Sequence, residues 1–457
     1  MWATTIPFLT CVLSLNQRAA TDDRPELSGP EQVVESADGQ FLLHYTMEGE
    51  DAVQGDMSDS GMPELVHSAL DGLEIGTERF HARGYRALIG DDGVGGSDAI
   101  DVYMMEIDAN GYANHIAGSD GASCYIRLDN DQSIEGITQS VAIHELHHCV
   151  QYRYTTSTDT WIYEATATFE QYRTYLDSTL QAAVIVLYSR RLGEPQNPMD
   201  WDDGEFEYAG MVAMQFWEQF RGLDPLRIPD LWEALADEPD WLKTFDAVAQ
   251  ENWGLSWDEA FLEYATWNAF ACANDDGSGY DDSDLPCNEF VSVPFRSKKW
   301  NEGEIELKVK LPEPSHNADY WVFPDEQHLL GVQVDCEAPH LKKSEMAVRL
   351  IAIDADGNRG AHADAWADDE PLSLSMTEAR DAGGTLLLIG ASVGGGPLNA
   401  ECFIQQTKGA RSGSGCGCES GSSSGYWWFV AALAVFRRRF HAAGRPDSSS
   451  SSRNLPR

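Results

Sequence analysis

The sequence AIHELHHC at residues 142–149 decides how this chain of 457 residues is interpreted. It contains the pattern His-Glu-x-x-His inside a run of residues that favours an α-helix. Because positions four apart lie on the same face of a helix, His144 and His148 can present two imidazoles to one zinc ion. Glu145 then lies where its carboxylate reaches a water molecule bound to the metal. The pattern predicts a zinc site with a general base next to it.

The two histidines continue an apolar stripe along the predicted helix. The stripe consists of Ile137, Val141, His144, His148 and Tyr152. These spacings of three and four residues place both imidazoles on the inward face of an amphipathic helix. Buried imidazoles need polar partners, which a bound metal ion would supply. Histidines that are only hydrogen-bonded within the core are the alternative interpretation.

His147 is a rival ligand within the same motif. It follows His144 at the third position, and it can either replace His148 or simply flank the site. We prefer His148 as the ligand, because only this choice leaves Glu145 in the motif position of the general base.

The motif needs a third ligand, because catalytic zinc uses three protein ligands and keeps its fourth position for water. Glu164 lies in the run WIYEATATFE at residues 161–170, which favours a second helix. The polar residues 155–160 predict a turn, so the second helix can bring Glu164 opposite the two histidines. Glu170 is the alternative third ligand, but its offset from Glu164 places it on another face of the helix.

These residues resemble the gluzincin metallopeptidases, in which His-Glu-x-x-His is followed on the next helix by Trp-x-x-Glu-(Gly/Ala)-x-Ala. The second half of this pattern is present here as Trp161, Glu164, Ala165 and Ala167. The resemblance implies that zinc is bound by His144, His148 and Glu164, and that Glu145 is the general base.

The sequence departs from the gluzincin pattern at two points. The spacing from His148 to Glu164 is a few residues shorter than in the best-known members, which requires a tight connection between the helices. Thr168 stands where some members carry an aspartate that orients a ligand histidine. The sequence therefore leaves this orienting partner open.

Tyr208 is a candidate for a second catalytic role. Gluzincins of the aminopeptidase type often carry a tyrosine shortly before a glycine on a downstream helix, and FEYAG at residues 206–210 is similar. The resemblance implies that Tyr208 donates a hydrogen bond to the oxyanion of the tetrahedral intermediate. A tyrosine that packs at the start of a helix is the alternative interpretation.

We expect a fold of class α+β with a zincin-like catalytic domain over residues 21–290. Its predicted parts are a mixed sheet, the active-site helices and a helical lower subdomain over residues 180–271. From about residue 291 the sequence changes to short alternating runs between Gly, Asp and Pro turns. This change predicts a C-terminal β-sandwich as an accessory domain over residues 291–406.

Both ends of the chain predict export. Residues 1–20 contain a short apolar run and read as a signal peptide, although no Lys or Arg precedes that run. Residues 407–425 are a Ser/Gly-rich linker with a Cys-Gly-Cys sequence, and residues 426–457 form an apolar and basic tail. This end resembles the MYXO-CTERM sorting signal, which implies cleavage in the linker and retention at the cell surface. We expect membrane contact only through this processed tail.

The cysteines agree with an exported protein. Without Cys11 and the tail pair, six remain, namely Cys124, Cys149, Cys272, Cys287, Cys336 and Cys402. Their domain placement suggests that Cys272 pairs with Cys287 and that Cys336 pairs with Cys402. Cys149 beside the motif could bind metal, but we favour a disulfide to Cys124 or plain burial.

The net charge of the chain limits the classes of binding partner that we expect. A net charge of −44 and a pI near 4.4 argue against nucleic acid and anionic membrane surfaces. We expect a peptide or protein substrate, and an endopeptidase rather than an aminopeptidase; the sequence leaves the oligomeric state open. The alternative is a non-catalytic cell-surface or adhesion protein that retains a zincin-like fold.

Overall fold

A computed structural model of the protein describes residues 24–406 with short internal gaps. The gaps are 59–60, 92, 94–95, 117–120, 133–135, 178–179, 221–226, 282–286, 288–290, 300–303, 312–315, 325–331, 338–345, 368–371, 377–384 and 395–397. The predicted signal peptide, linker and sorting tail lie outside the described residues. The described part has a mixed α+β fold, as the sequence predicts.

An N-terminal sheet of five strands has the order β1-β2-β3-β5-β4. Its strands are β1 (Glu31–Glu35), β2 (Phe41–Thr46), β3 (Ile100–Met105), β4 (Gly111–Ile116) and β5 (Ser123–Asp129). The central strands β2, β3 and β5 are parallel, whereas β1 and β4 run antiparallel to their neighbours. Among the described strands, β4 pairs with β5 alone, so it is an edge strand. Its Ala113 carbonyl oxygen accepts a hydrogen bond from the Tyr152 hydroxyl at 3.1 Å.

Three helices pack in contact with one another: α1 (Glu64–Arg83), α2 (Ile137–Gln151) and α3 (Thr160–Thr174). Of these, α1 and α2 also contact the sheet. Almost every residue of α2 is buried, which makes it the central helix of the domain. Helix α1 approaches α2 closely at Gly72, where a Cβ atom would lie only 2.4 Å from the carbonyl oxygen of Gln139. A glycine at this position therefore allows the contact between the two helices.

The helical region after α3 agrees with the sequence prediction. It contains α4 (Gln181–Gly193), α5 (Phe206–Ala209), α6 (Met211–Gln219), α7 (Arg227–Asp237), α8 (Trp241–Trp253), α9 (Trp257–Ala269) and a 3-10 turn (Cys272–Asn274). Aromatic rings hold these helices together, with Trp217 of α6 against Phe245, Trp253 and Trp257 of α8 and α9. These rings form core, as the sequence spacing predicts.

The C-terminal region consists of two sheets, with the orders β11-β10-β13-β8-β6 and β12-β9-β14-β7. Their strands are β6 (Arg296–Ser297), β7 (Glu304–Leu311), β8 (Asn317–Pro324), β9 (Val332–Glu337), β10 (Met346–Ile353), β11 (Arg359–Trp366), β12 (Leu372–Met376), β13 (Thr385–Ser392) and β14 (Leu398–Gln406). Buried side chains from both sheets, such as Val334 and Leu388, belong to one apolar cluster. The opposite face of the larger sheet joins the core of the N-terminal region through Ile351 and Leu387.

Three disulfides are present among the described residues. Cys272 pairs with Cys287 and Cys336 pairs with Cys402, so both predicted pairings are confirmed. Cys149 pairs with Cys124, which links α2 to β5 and removes Cys149 as a metal ligand. Disulfides persist in oxidising compartments, so the three pairs indicate an extracellular environment.

None of the helices in the described part of the chain is both long and apolar enough to cross a membrane.

Candidate metal centre

His144, His148 and Glu164 meet in one buried group that could hold a metal ion. The Nε2 atom of His144 lies 3.1 Å from Nε2 of His148 and 3.1 Å from Oε2 of Glu164. The distance from Nε2 of His148 to the same carboxylate oxygen is 3.7 Å. Each of the three side chains is 1% exposed. The structure thus brings together all three residues that the sequence predicts as ligands.

Local helix geometry explains how these residues converge. His144 and His148 are one turn apart on α2, and their ring centroids are 4.7 Å apart. The short connection to α3 is fixed by the Tyr163 hydroxyl, which donates to the carbonyl oxygen of Thr155 at 2.6 Å. This turn supplies the tight connection that the short spacing between His148 and Glu164 requires.

The chemistry of the group fits a divalent metal ion. Two imidazole nitrogens and one carboxylate oxygen form a donor set typical of zinc and of similar transition metals. The second carboxylate oxygen of Glu164, Oε1, is buried and has no hydrogen-bond partner among the described residues. Burying a carboxylate oxygen without a hydrogen-bond partner costs free energy, and a bound cation would compensate for this cost.

Charges within the metal-binding group shift the pKa values of His148 and Glu164. Burial lowers the pKa of His148, but the Glu164 carboxylate outweighs this effect and raises that pKa to about 9. For Glu164 the effects are reversed: burial raises its pKa, but the two imidazoles outweigh burial and hold this pKa below its usual range. The protein groups alone therefore favour an ionised carboxylate facing the imidazoles.

The imidazoles are oriented by glutamine side chains that the sequence analysis did not identify. Nδ1 of His144 lies 3.1 Å from Oε1 of Gln171, and Nδ1 of His148 lies 2.7 Å from Oε1 of Gln151. Thr168 is buried, and its hydroxyl has no hydrogen-bond partner in the described part of the chain. Gln171 follows Glu164 by two helical turns on the same face, so helical spacing could have revealed it.

The two alternative ligands lie outside the group. The ring of His147 packs edge-on against Phe80 and Tyr85, with centroid distances of 5.0 and 5.1 Å. Glu170 instead accepts hydrogen bonds from Arg83 and from the Tyr85 hydroxyl, at 2.9 and 2.7 Å. Both side chains are thus engaged elsewhere in the core.

Glu145 is buried next to the edge strand β4. A Cβ atom at Gly111 would lie 2.8 Å from both Cγ and Oε1 of Glu145. The absence of a side chain at this position therefore lets the strand pass directly against the carboxylate. Glu145 also contributes electrostatically to the raised pKa of His148, which places its charge near the metal-binding group.

Tyr208 also lies beside the group. Helix α5 places its ring centroid 6.1 Å from that of His144. Its neighbour Glu207 is buried, and this burial, together with the charges of Asp202 and Glu164, raises the pKa of Glu207 to about 7. Tyr208 is a candidate from the sequence pattern, whereas no sequence pattern points to the carboxylate next to it.

No protein-family model matches this sequence, and a comparison with curated proteins finds no match either.

Proposed function

We propose that this protein is a zinc-dependent metallopeptidase of the gluzincin type. The buried group of His144, His148 and Glu164 carries the proposal, together with Glu145 next to the first ligand and the edge strand β4 beside it. Three protein ligands leave a coordination position for water, whereas a structural zinc site is normally closed by four protein ligands. When bound, zinc would lower the pKa of a coordinated water and polarise the substrate carbonyl.

Two residues of the chain would carry out proton transfer and stabilise the developing charge. Glu145 accepts the proton of the attacking water and passes it to the leaving amine. The Tyr208 hydroxyl donates a hydrogen bond to the oxygen of the scissile carbonyl as negative charge develops on that oxygen. The burial of Glu145 and the ligands keeps bulk water away from this proton transfer.

The edge strand β4 supports a peptide as the substrate. An extended peptide can add to such an edge through main-chain hydrogen bonds. Because β4 passes against Glu145 at Gly111, a peptide on this edge would have its scissile bond close to the proposed base. An open strand edge also accepts the interior of a long peptide, which favours an endopeptidase over an aminopeptidase.

The setting of the proposed enzyme is the cell surface. We assign residues 21–290 to a zincin-like catalytic domain and residues 291–406 to a β-sandwich accessory domain. The apolar cluster shared by the two C-terminal sheets supports this sandwich. The disulfides support export, and the terminal segments provide the proposed signal peptide and sorting tail.

The test combines metal analysis with peptide cleavage. The purified protein should contain one zinc ion per chain and should cleave members of an unlabelled peptide library detected by mass spectrometry. Glu145→Gln should lower cleavage by about 10²- to 10⁴-fold, as expected for loss of a general base, while zinc content stays unchanged. The control Glu78→Gln changes an exposed residue of α1 and should leave both properties unaltered. Stoichiometric zinc without cleavage of any peptide would instead favour a non-catalytic surface protein.

A further inference from the structure

Gln151, on the last turn of α2, contacts both neighbouring histidines of the motif. Its Oε1 atom lies 2.7 Å from Nδ1 of His148, and its Nε2 atom lies 2.8 Å from Nδ1 of His147. The same Nε2 atom reaches α3, at 2.9 Å from the carbonyl oxygen of Tyr163 and 2.8 Å from Oγ1 of Thr166. Gln151 is fully buried, so water cannot replace these contacts.

The contact with Tyr163 fixes the orientation of the Gln151 amide. A backbone carbonyl oxygen only accepts hydrogen bonds, so the amide NH₂ group must face it. Reversing the amide would place two acceptor oxygens 2.9 Å apart. The amide oxygen of Gln151 consequently faces His148.

This orientation gives the two adjacent histidines opposite tautomers. The Gln151 oxygen can only accept, so Nδ1 of His148 carries a hydrogen. In the neutral ring that binds a metal ion, the Nε2 lone pair then faces His144 and Glu164. The amide nitrogen can only donate, so Nδ1 of His147 must be an acceptor without hydrogen. In neutral His147 the hydrogen is then on Nε2, which has no hydrogen-bond partner among the described residues.

Gln171 plays the corresponding part for His144. Its Oε1 atom lies 3.1 Å from Nδ1 of His144, and its Nε2 atom donates to Oγ of Ser140 at 2.9 Å. With the amide oxygen of Gln171 facing it, Nδ1 of His144 carries the hydrogen, and in the neutral ring the Nε2 lone pair faces Glu164.

We infer that Gln151 is a positioning residue that makes His148, rather than His147, the metal ligand, by holding the two imidazoles in opposite tautomers. Gln171 holds His144 in the ligand tautomer in the same way. The inference rests on the metal-binding part of the proposed function and is independent of peptide cleavage. It also supplies the orienting partners that the sequence leaves open at Thr168, as neutral amides in place of a carboxylate.

The test measures zinc affinity, by competition with a chromogenic chelator, in two variants and a matched control. Gln151→Met and Gln171→Met should each weaken zinc binding by about 10- to 100-fold, as is typical for loss of a group that orients a ligand. The control Gln215→Met also replaces a buried glutamine, but one that bonds Tyr188 and Asp281 away from the group. It should change the affinity by less than about threefold, well below that range. Equal affinities in Gln151→Met and Gln215→Met would overturn the inference.

A second measurement needs no variant that could fail to fold. In the zinc-loaded protein labelled with ¹⁵N at histidine, His144 and His148 should show protonated Nδ1, and His147 should show protonated Nε2. A His147 ring with protonated Nδ1 would overturn the inference. Failure of peptide cleavage would leave all of these readouts unchanged.

Discussion

Helix α3 carries two buried glutamates, Glu164 and Glu170, whose carboxylates face different groups. Glu170 is paired with Arg83 and with the Tyr85 hydroxyl, and Arg83 also pairs with Glu218. Glu164 instead faces two imidazoles. One oxygen of each carboxylate, Oε1 of Glu164 and Oε2 of Glu170, has no hydrogen-bond partner among the described residues. The difference therefore lies in the charge that faces each glutamate: an arginine compensates Glu170, whereas the imidazoles beside Glu164 can share a metal ion with it.

The difference follows from the cost of burying charge. A buried carboxylate without a cation loses its hydration and gains little in return, so it needs either a paired arginine or a bound metal. Arg83 compensates the charge of Glu170 through two guanidinium nitrogens that contact Oε1 of this glutamate, so no cation from outside the chain is needed there. The same helix therefore contributes to the stability of the fold through one glutamate and to the metal site through the other.

The largest expected effect comes from exchanging each glutamate for glutamine. Glu164→Gln should weaken zinc binding by about a thousandfold, or about 4 kcal/mol, because three ligands share a binding free energy on the order of 10 kcal/mol. Glu170→Gln should leave zinc affinity within about threefold of the parent, less than loss of even an orienting group costs. Competition with a chelator measures both. Equal losses in the two variants would remove the distinction between the two glutamates.

A smaller effect is expected from removing the arginine. Arg83→Met leaves Glu170 without its cation and should lower the free energy of unfolding by about 3 kcal/mol, the low end for a broken buried pair. The low end applies because Arg173 still pairs with Glu218. Denaturant unfolding measures the change, and the control Lys243→Met, which removes two exposed ion pairs, should stay within about 0.5 kcal/mol. Loss of zinc from folded Arg83→Met would contradict the separation of the two roles.

The smallest effect concerns pH and a third cluster, in which buried His44 faces buried Asp101 at 3.1 Å and exposed Glu31 at 2.9 Å. Burial lowers the pKa of His44, but hydrogen bonds to these two carboxylates outweigh it and raise that pKa. The stabilisation is therefore present below about pH 6.5, the usual histidine pKa, and is lost as pH rises through the folded pKa.

The measurement for this cluster is unfolding at two pH values. His44→Gln should destabilise the protein more at pH 5.5 than at pH 8.5, by a difference on the order of 1 kcal/mol. Asp101 also pairs with Arg24, which keeps this carboxylate compensated when His44 is neutral. A cost that is equal at both pH values would show that His44 contributes only packing.

The sequence predicts well what depends on spacing along one helix. His144 and His148 lie on one face of α2 because of the helical period. The position of Glu164 follows from the predicted turn and the second helix after it. Two disulfide pairings also follow, because each joins cysteines within one predicted region. The class of the fold is set by the change from helical to alternating patterns near residue 291.

Features that depend on contacts between distant segments could not be predicted. The pairing of Arg83 with Glu170 joins α1 to α3, and neither residue has a local signal for it. The passage of Gly111 against Glu145 depends on β4 being the edge strand, which strand patterns alone do not specify. Gln151 lies within the motif helix, yet its role becomes visible only through the carbonyl oxygen of Tyr163 on α3.

X-ray absorption at the zinc edge of the purified protein tests the central claim most directly. We predict one zinc ion per chain with two imidazoles and additional oxygen ligands at about 2.0–2.2 Å, and no sulfur ligand. Glu164→Gln should remove this signal, while Glu170→Gln should preserve it. A zinc–sulfur distance near about 2.3 Å, or an unchanged spectrum in Glu164→Gln, would contradict a metal site formed by His144, His148 and Glu164.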